Sequence, residues 1–126
     1  MDKVPIIIIG SVVAIGILFF ALTQFFPNVP KPAPLPEGII LFYGEDCPHC
    51  KLVDEFVKEN KVKEKIIFSE LEVYYNKENA KLLVSAAQKC GEDISQGIGV
   101  PFLYDGKNCF IGDVNIIDFF KEKIGL

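Results

Sequence analysis

The sequence predicts an α/β fold of order β-α-β-α-β-β-α preceded by one transmembrane helix. Three observations predict it. Short β-prone runs alternate with amphipathic stretches from Glu37 to Leu126. Asp105-Gly106-Lys107-Asn108 parts the last two β-prone runs as a hairpin turn would. Val4 to Phe26 holds no charged residue, and about 23 apolar positions suffice for a helix to cross a bilayer.

The chain divides into three expected parts: residues 1–26 as an N-terminal anchor, 27–36 as a linker, and 37–126 as one folded domain. A cleaved signal peptide competes with the anchor. Its apolar core is usually shorter and ends at small residues, whereas Ala21-Leu22-Thr23 is followed by Phe25-Phe26. An uncleaved anchor through residues 4–26 is therefore expected. Five prolines lie between Pro27 and Pro36, excluding helix and sheet and favouring an extended spacer, which could reach roughly 25–30 Å.

The first strand is expected at Gly38–Tyr43, ended by Gly44. Next come Cys47-Pro48-His49-Cys50 and a helix from Pro48 to about Asn60. Proline favours the first helical position, which makes Cys47 the N-cap. Its sulfur then meets free backbone N–H groups and the positive end of the helix dipole. Both favour the thiolate, the form that attacks disulfides. A second strand is expected over Lys65–Tyr74, alternating in its later half. Asn76 then caps a second helix running to about Cys90, with Leu83, Ala86, Ala87 and Cys90 on one face, and Gly91 ends it. Phe102-Leu103-Tyr104 and Cys109-Phe110-Ile111 flank the turn. Gly112-Asp113 starts the last helix, with Ile116, Ile117, Phe120 and Ile124 inward.

This order, with Cys-x-x-Cys after the first strand and Gly99-Val100-Pro101 before the third, resembles the thioredoxin-fold superfamily over essentially all of 37–126. The resemblance implies a thioredoxin-like three-layer sandwich and a cis proline at Pro101 facing the cysteine pair. Val100-Pro101-Phe102-Leu103-Tyr104-Asp105-Gly106-Lys107 is similar to the matching stretch of glutaredoxins. Pro48-His49 resembles the inner dipeptide of DsbA-like oxidases, although 90 residues leave no room for their inserted helical domain.

A site follows from these residues. Cys47 is the expected attacking thiolate, exposed at the helix tip, and Cys50 the resolving thiol one turn inside. His49, as a cation or an N–H donor, would stabilise the Cys47 thiolate and make the disulfide a better oxidant. Glu45 and Asp46 oppose this, because nearby carboxylates disfavour a thiolate. The resemblance gives Pro101 the role of keeping the Val100 backbone open to an extended substrate peptide.

Cys90 and Cys109 leave three readings open: a structural disulfide, two buried free thiols, or a second redox pair. Cys-x-x-Cys is also half of many zinc sites, but Cys90 and Cys109 lack knuckle spacing, so no metal and no bound cofactor is expected beyond the redox-active disulfide.

The formal charge is −4 and no basic aromatic patch occurs, which argues against nucleic acid. Lys3 and Lys31 flank the span almost symmetrically and say little about orientation. Four cysteines suit an oxidising compartment, so the domain is expected outside a cell membrane crossed once.

The expected activity is thiol–disulfide exchange on cysteine-containing exported proteins, oxidising or isomerising them. The resemblance implies a DsbB-like or vitamin K epoxide reductase-like membrane partner as reoxidant. A thioredoxin- or glutaredoxin-like reductase is the first alternative. Against it, Ile39-Ile40-Leu41-Phe42 lacks the buried acid of thioredoxins, and Gly112-Asp113 has one glycine where glutaredoxins have two. A non-enzymatic tethered zinc or interaction module is the second.

Overall fold

The computed structural model describes residues 12–21 and 32–126. Residues 12–21 are helical with exposed side chains, and among the described residues no helix is long and apolar enough to cross a membrane. The remainder of the expected span, and linker residues 27–31, lie outside the described residues.

In the domain, β1 (Ile39–Tyr43) leads to α1 (Pro48–Glu59) and a single turn, α2 (Val62–Lys65). Then come β2 (Phe68–Glu72), α3 (Lys77–Lys89), the hairpin β3 (Phe102–Tyr104) and β4 (Cys109–Ile111), and α4 (Asp113–Ile124). The sheet runs β2-β1-β3-β4. β1 and β2 are parallel, with Leu41 opposite Glu70, while β3 is antiparallel to both β1 and β4. Side chains alternate across the central strands and divide the core in two. Leu41 and Leu103 pack with Val53, Val57, Val62, Ile116, Phe119 and Phe120 beneath α1, α2 and α4. Ile40, Phe42, Phe102 and Tyr104 pack with Leu83, Ala86 and Ala87 of α3 on the other face. This is the three-layer arrangement that the resemblance implies.

Local chemistry explains the ends of the long helices. Asn76 caps α3, its side chain accepting from the amides of Glu78 and Asn79, each at 3.1 Å. Gly125 ends α4 at φ 77°, a left-handed conformation suited to glycine.

Two features differ from expectation. The second strand starts three residues later than Lys65, because the chain first makes α2. Lys61 turns into the left-handed region (φ 51°) and buries Val62 completely in the lower core. Tertiary burial thus overrides the strand propensity that follows it. The end of the proline-rich segment is not a free spacer either. The Ala33 amide donates to Ser85 Oγ at 2.8 Å, and Leu35 packs against the α3-side core. An extended chain alternates its side chains, and here every second residue turns toward the domain.

Candidate active site

The first turn of α1 carries the site. Cys47 has extended backbone (φ −88°, ψ 115°) and is the N-cap, with Pro48 beginning the helix. Its Sγ accepts from the Cys50 amide at 3.1 Å, supplying one of the free N–H groups of the helix start with a partner. Cys47 and Cys50 are joined as a disulfide across 5.2 Å between their Cα atoms. The same N–H and the helix dipole would stabilise negative charge on Cys47 Sγ once the bond opens.

Cys47 is not exposed at the helix tip as expected: it is 4% exposed, and Cys50 6%. The segment before β3 covers it, with the Val100 carbonyl oxygen 3.5 Å from Cys47 Sγ. That carbonyl can accept from a Cys47 thiol and repels a thiolate, so it works against the Cys50 amide. The Val100–Pro101 bond is cis. Val100 lies beyond the β1–β3 ladder, which ends at Phe42 and Phe102. Pro101 is buried, and its carbonyl accepts from Gly112 at 3.0 Å. Gly112 has φ 86°, ψ 156°, a backbone open to glycine and strained for other residues.

His49 is largely exposed and pairs across the site. Its Nδ1 lies 3.0 Å from Asp113 Oδ1, so the ring's hydrogen bond goes to α4 rather than to either sulfur. Asp46 accepts from the Tyr75 hydroxyl at 2.7 Å, which raises the phenol above its usual range. Glu45 and Asp46 are both exposed. The turn that carries Tyr75 is organised by Glu72, whose carboxylate accepts from the amides of Tyr74, Tyr75 and Asn76 at 2.7, 2.9 and 3.1 Å. Burial pushes the Glu72 carboxyl up, but these N–H bonds outweigh it and hold it below the ordinary value. The Tyr74 ring lies so close to Gly44 that a methyl group there would overlap it.

On the other side of Cys50 a cavity of about 310 Å³ opens between Tyr43, Asp54 and Glu70. Both carboxylates are paired, Asp54 with Lys58 at 2.6 Å and Glu70 with Lys63. The hydrogen bond that Lys58 donates to Asp54, and then the Asp54 charge, raises the Lys58 ammonium.

Cys90, at the end of α3, is disulfide-bonded to Cys109, with Cα atoms 6.1 Å apart. Cys109 opposes Tyr104, the hairpin end remote from Pro101. The two cysteine pairs therefore occupy opposite ends of β3 and do not converge on one ligand set.

Sequence reasoning missed Asp113 as a partner of His49, reading it only as a helix start. The two are 64 residues apart, and no periodicity links them. It also missed Tyr75, Asp54 and Glu70, each of which reaches the site only through the parallel pairing of β1 with β2 or the turn of α1.

No protein-family model matches the chain, and no curated protein matches it. Among solved structures, it is similar to a buckwheat glutaredoxin–glutathione complex, at 15% identity and TM-score 0.46 over 70% of each chain. It is also similar to reduced glutaredoxin C1 from Populus tremula x tremuloides, at 16% identity and TM-score 0.45, covering 70% of this chain and 66% of that one. The holo form of the poplar protein gives 14% identity and TM-score 0.45, over 68% of this chain and 75% of that one.

Proposed function

We propose that this chain is a thiol–disulfide oxidoreductase that works by dithiol–disulfide exchange through Cys47 and Cys50. One observation carries the reading: Cys47 caps α1, is bonded to Cys50 and holds the Cys50 amide on its sulfur at 3.1 Å. A substrate thiolate attacks Cys47 Sγ, the Cys47–Cys50 bond breaks, and Cys50 leaves as the thiolate. A second substrate thiolate then displaces Cys47 from the mixed disulfide. The substrate has lost two electrons and the cysteine pair has gained them.

In the finer reading the enzyme is anchored in a membrane by residues 4–26, faces outward, and oxidises or isomerises exported proteins. The uncharged run Val4–Phe26 and the four cysteines support this placement. The electrons gained would pass to a membrane reoxidant of the DsbB-like or vitamin K epoxide reductase-like kind. Val100 and Pro101 would receive the substrate chain, since the Val100 backbone lies outside the sheet ladder.

A reductase is the second reading, favoured by the Asp113 carboxylate on His49. A carboxylate there offsets the positive charge that would otherwise make the disulfide more oxidising.

The reduction potential of the Cys47–Cys50 pair separates the two. A value at or above about −150 mV supports the oxidase, and one near about −270 mV the reductase. Retention of thiol exchange by Cys47→Ser would defeat both. A reporter fused after Leu126 should be active only outside the membrane; activity in the cytoplasm would overturn the placement.

A further inference from the structure

Both cysteines of the site are buried, and among the described residues the hydrogen-bond partners of Cys47 Sγ are backbone ones, the Cys50 amide and the Val100 carbonyl. Neither can carry a proton away. Thiol exchange nevertheless requires one to leave each attacking thiol, because the thiolate is the nucleophile. His49 stands two residues from Cys47 with a side chain 68% exposed.

Asp113 determines how that ring can act. An ionised carboxylate only accepts, so its contact with Nδ1 keeps the ring hydrogen there and leaves Nε2 to take up or release a proton. The carboxylate is held firmly: it is only 20% exposed, and the residue before it is tied to the Pro101 carbonyl by the Gly112 amide.

We propose that Asp113 is a positioning residue that holds His49 as the proton carrier of the Cys47–Cys50 centre, a role that rests on the thiol-exchange reading above. An incoming thiol gives its proton to Nε2, and its sulfur bonds to Cys47 Sγ. The Cys47–Cys50 bond breaks, Cys50 leaves with the electron pair, and the imidazolium returns the proton to Cys50 or to solvent.

The test uses the full chain in detergent, with dithiothreitol as the attacking thiol. Rates of disulfide opening are read by alkylation and mass, and the ring tautomer by ¹⁵N NMR of the neutral imidazole. The wild type should show hydrogen on Nδ1. Asp113→Ala should lose that signature and open about tenfold or more slowly, within the range of proton-transfer catalysis. Asp113→Asn preserves size at the helix start but can donate to Nδ1, so it should fold normally, favour the other tautomer and also be slow. His49→Ala and the double variant with Asp113→Ala should match within about twofold, as expected of residues acting as one unit. An unchanged tautomer in Asp113→Ala, a wild-type rate in Asp113→Asn, or multiplying losses in the double variant would overturn the proposal. If Cys47→Ser is dead while both Asp113 variants react at the wild-type rate, only the positioning role fails. If Cys47→Ser still exchanges, the redox reading itself fails.

Discussion

The Tyr75 hydroxyl donates to the Asp46 carboxylate at 2.7 Å, tying the turn after β2 to the loop that leads into Cys47. The same turn hangs on Glu72 through three backbone amides. The approach to the disulfide therefore depends on two ionisable groups with opposite shifts.

Stability of this turn should fall at both pH extremes. The Glu72 carboxyl is lowered in the fold, so its contribution is present above the ordinary carboxylate range and is lost as pH falls through the folded value. The Tyr75 phenol is raised, so its contribution is present below about pH 10 and is lost as pH rises through the folded value. NMR titration of the Tyr74 to Asn76 amides should show both limbs. Glu72→Gln should flatten the acid limb and Tyr75→Phe the alkaline one. A variant that keeps its own limb would show that another group controls it.

Gly44→Ala should destabilise the domain by about 1–2 kcal/mol, because the added methyl overlaps the Tyr74 ring. Gly44 is buried whereas Tyr74 is exposed, so the ring has to give way. Adding Tyr74→Ala should recover most of the loss in urea unfolding. Purely additive costs would place the clash elsewhere.

Removal of the second disulfide by Cys90→Ala/Cys109→Ala should cost about 3 kcal/mol, the chain-entropy value for a loop of this length. Denaturant melts measure it. Exchange at Cys47 should be unaffected, because the pair lies at the far end of the hairpin. A variant as stable as the wild type would make the bridge energetically idle.

Ser85→Ala should free the end of the proline-rich segment. Ser85 is 2% exposed and accepts from Ala33 while donating to the Lys81 carbonyl at 3.1 Å. Losing it should cost about 1 kcal/mol and strip hydrogen-exchange protection from the Ala33 amide. Unchanged protection would mean that Leu35 alone docks the segment.

Much of the fold was legible because its signals are local. Pro48 at the start of α1, Asn76 before α3 and the Asp105–Asn108 turn each act within four residues, and each element forms where its signal stands. The inward positions of α4 also followed from helical spacing, although Phe119 joins Ile116 and Phe120 in the core, its ring centroid 4.8 Å from that of Phe110 on β4. α2 was hidden, since only the buried space for Val62 makes one turn of helix preferable to extended chain.

The sequence by itself determined that Cys47 and Cys50 meet across the first turn of a helix with an N-cap sulfur, because a two-residue gap and a proline dictate that geometry locally. Tertiary structure decided what surrounds them. Val100 covers Cys47, Asp113 takes His49, Tyr75 takes Asp46, and Ser85 takes Ala33. Those contacts join residues 29 to 64 positions apart. Hydrophobic periodicity reports which face of an element is buried, not which distant polar atom it will meet. Pairing of β1 with β2 and β3, and the docking of α4 beside α1, set those meetings.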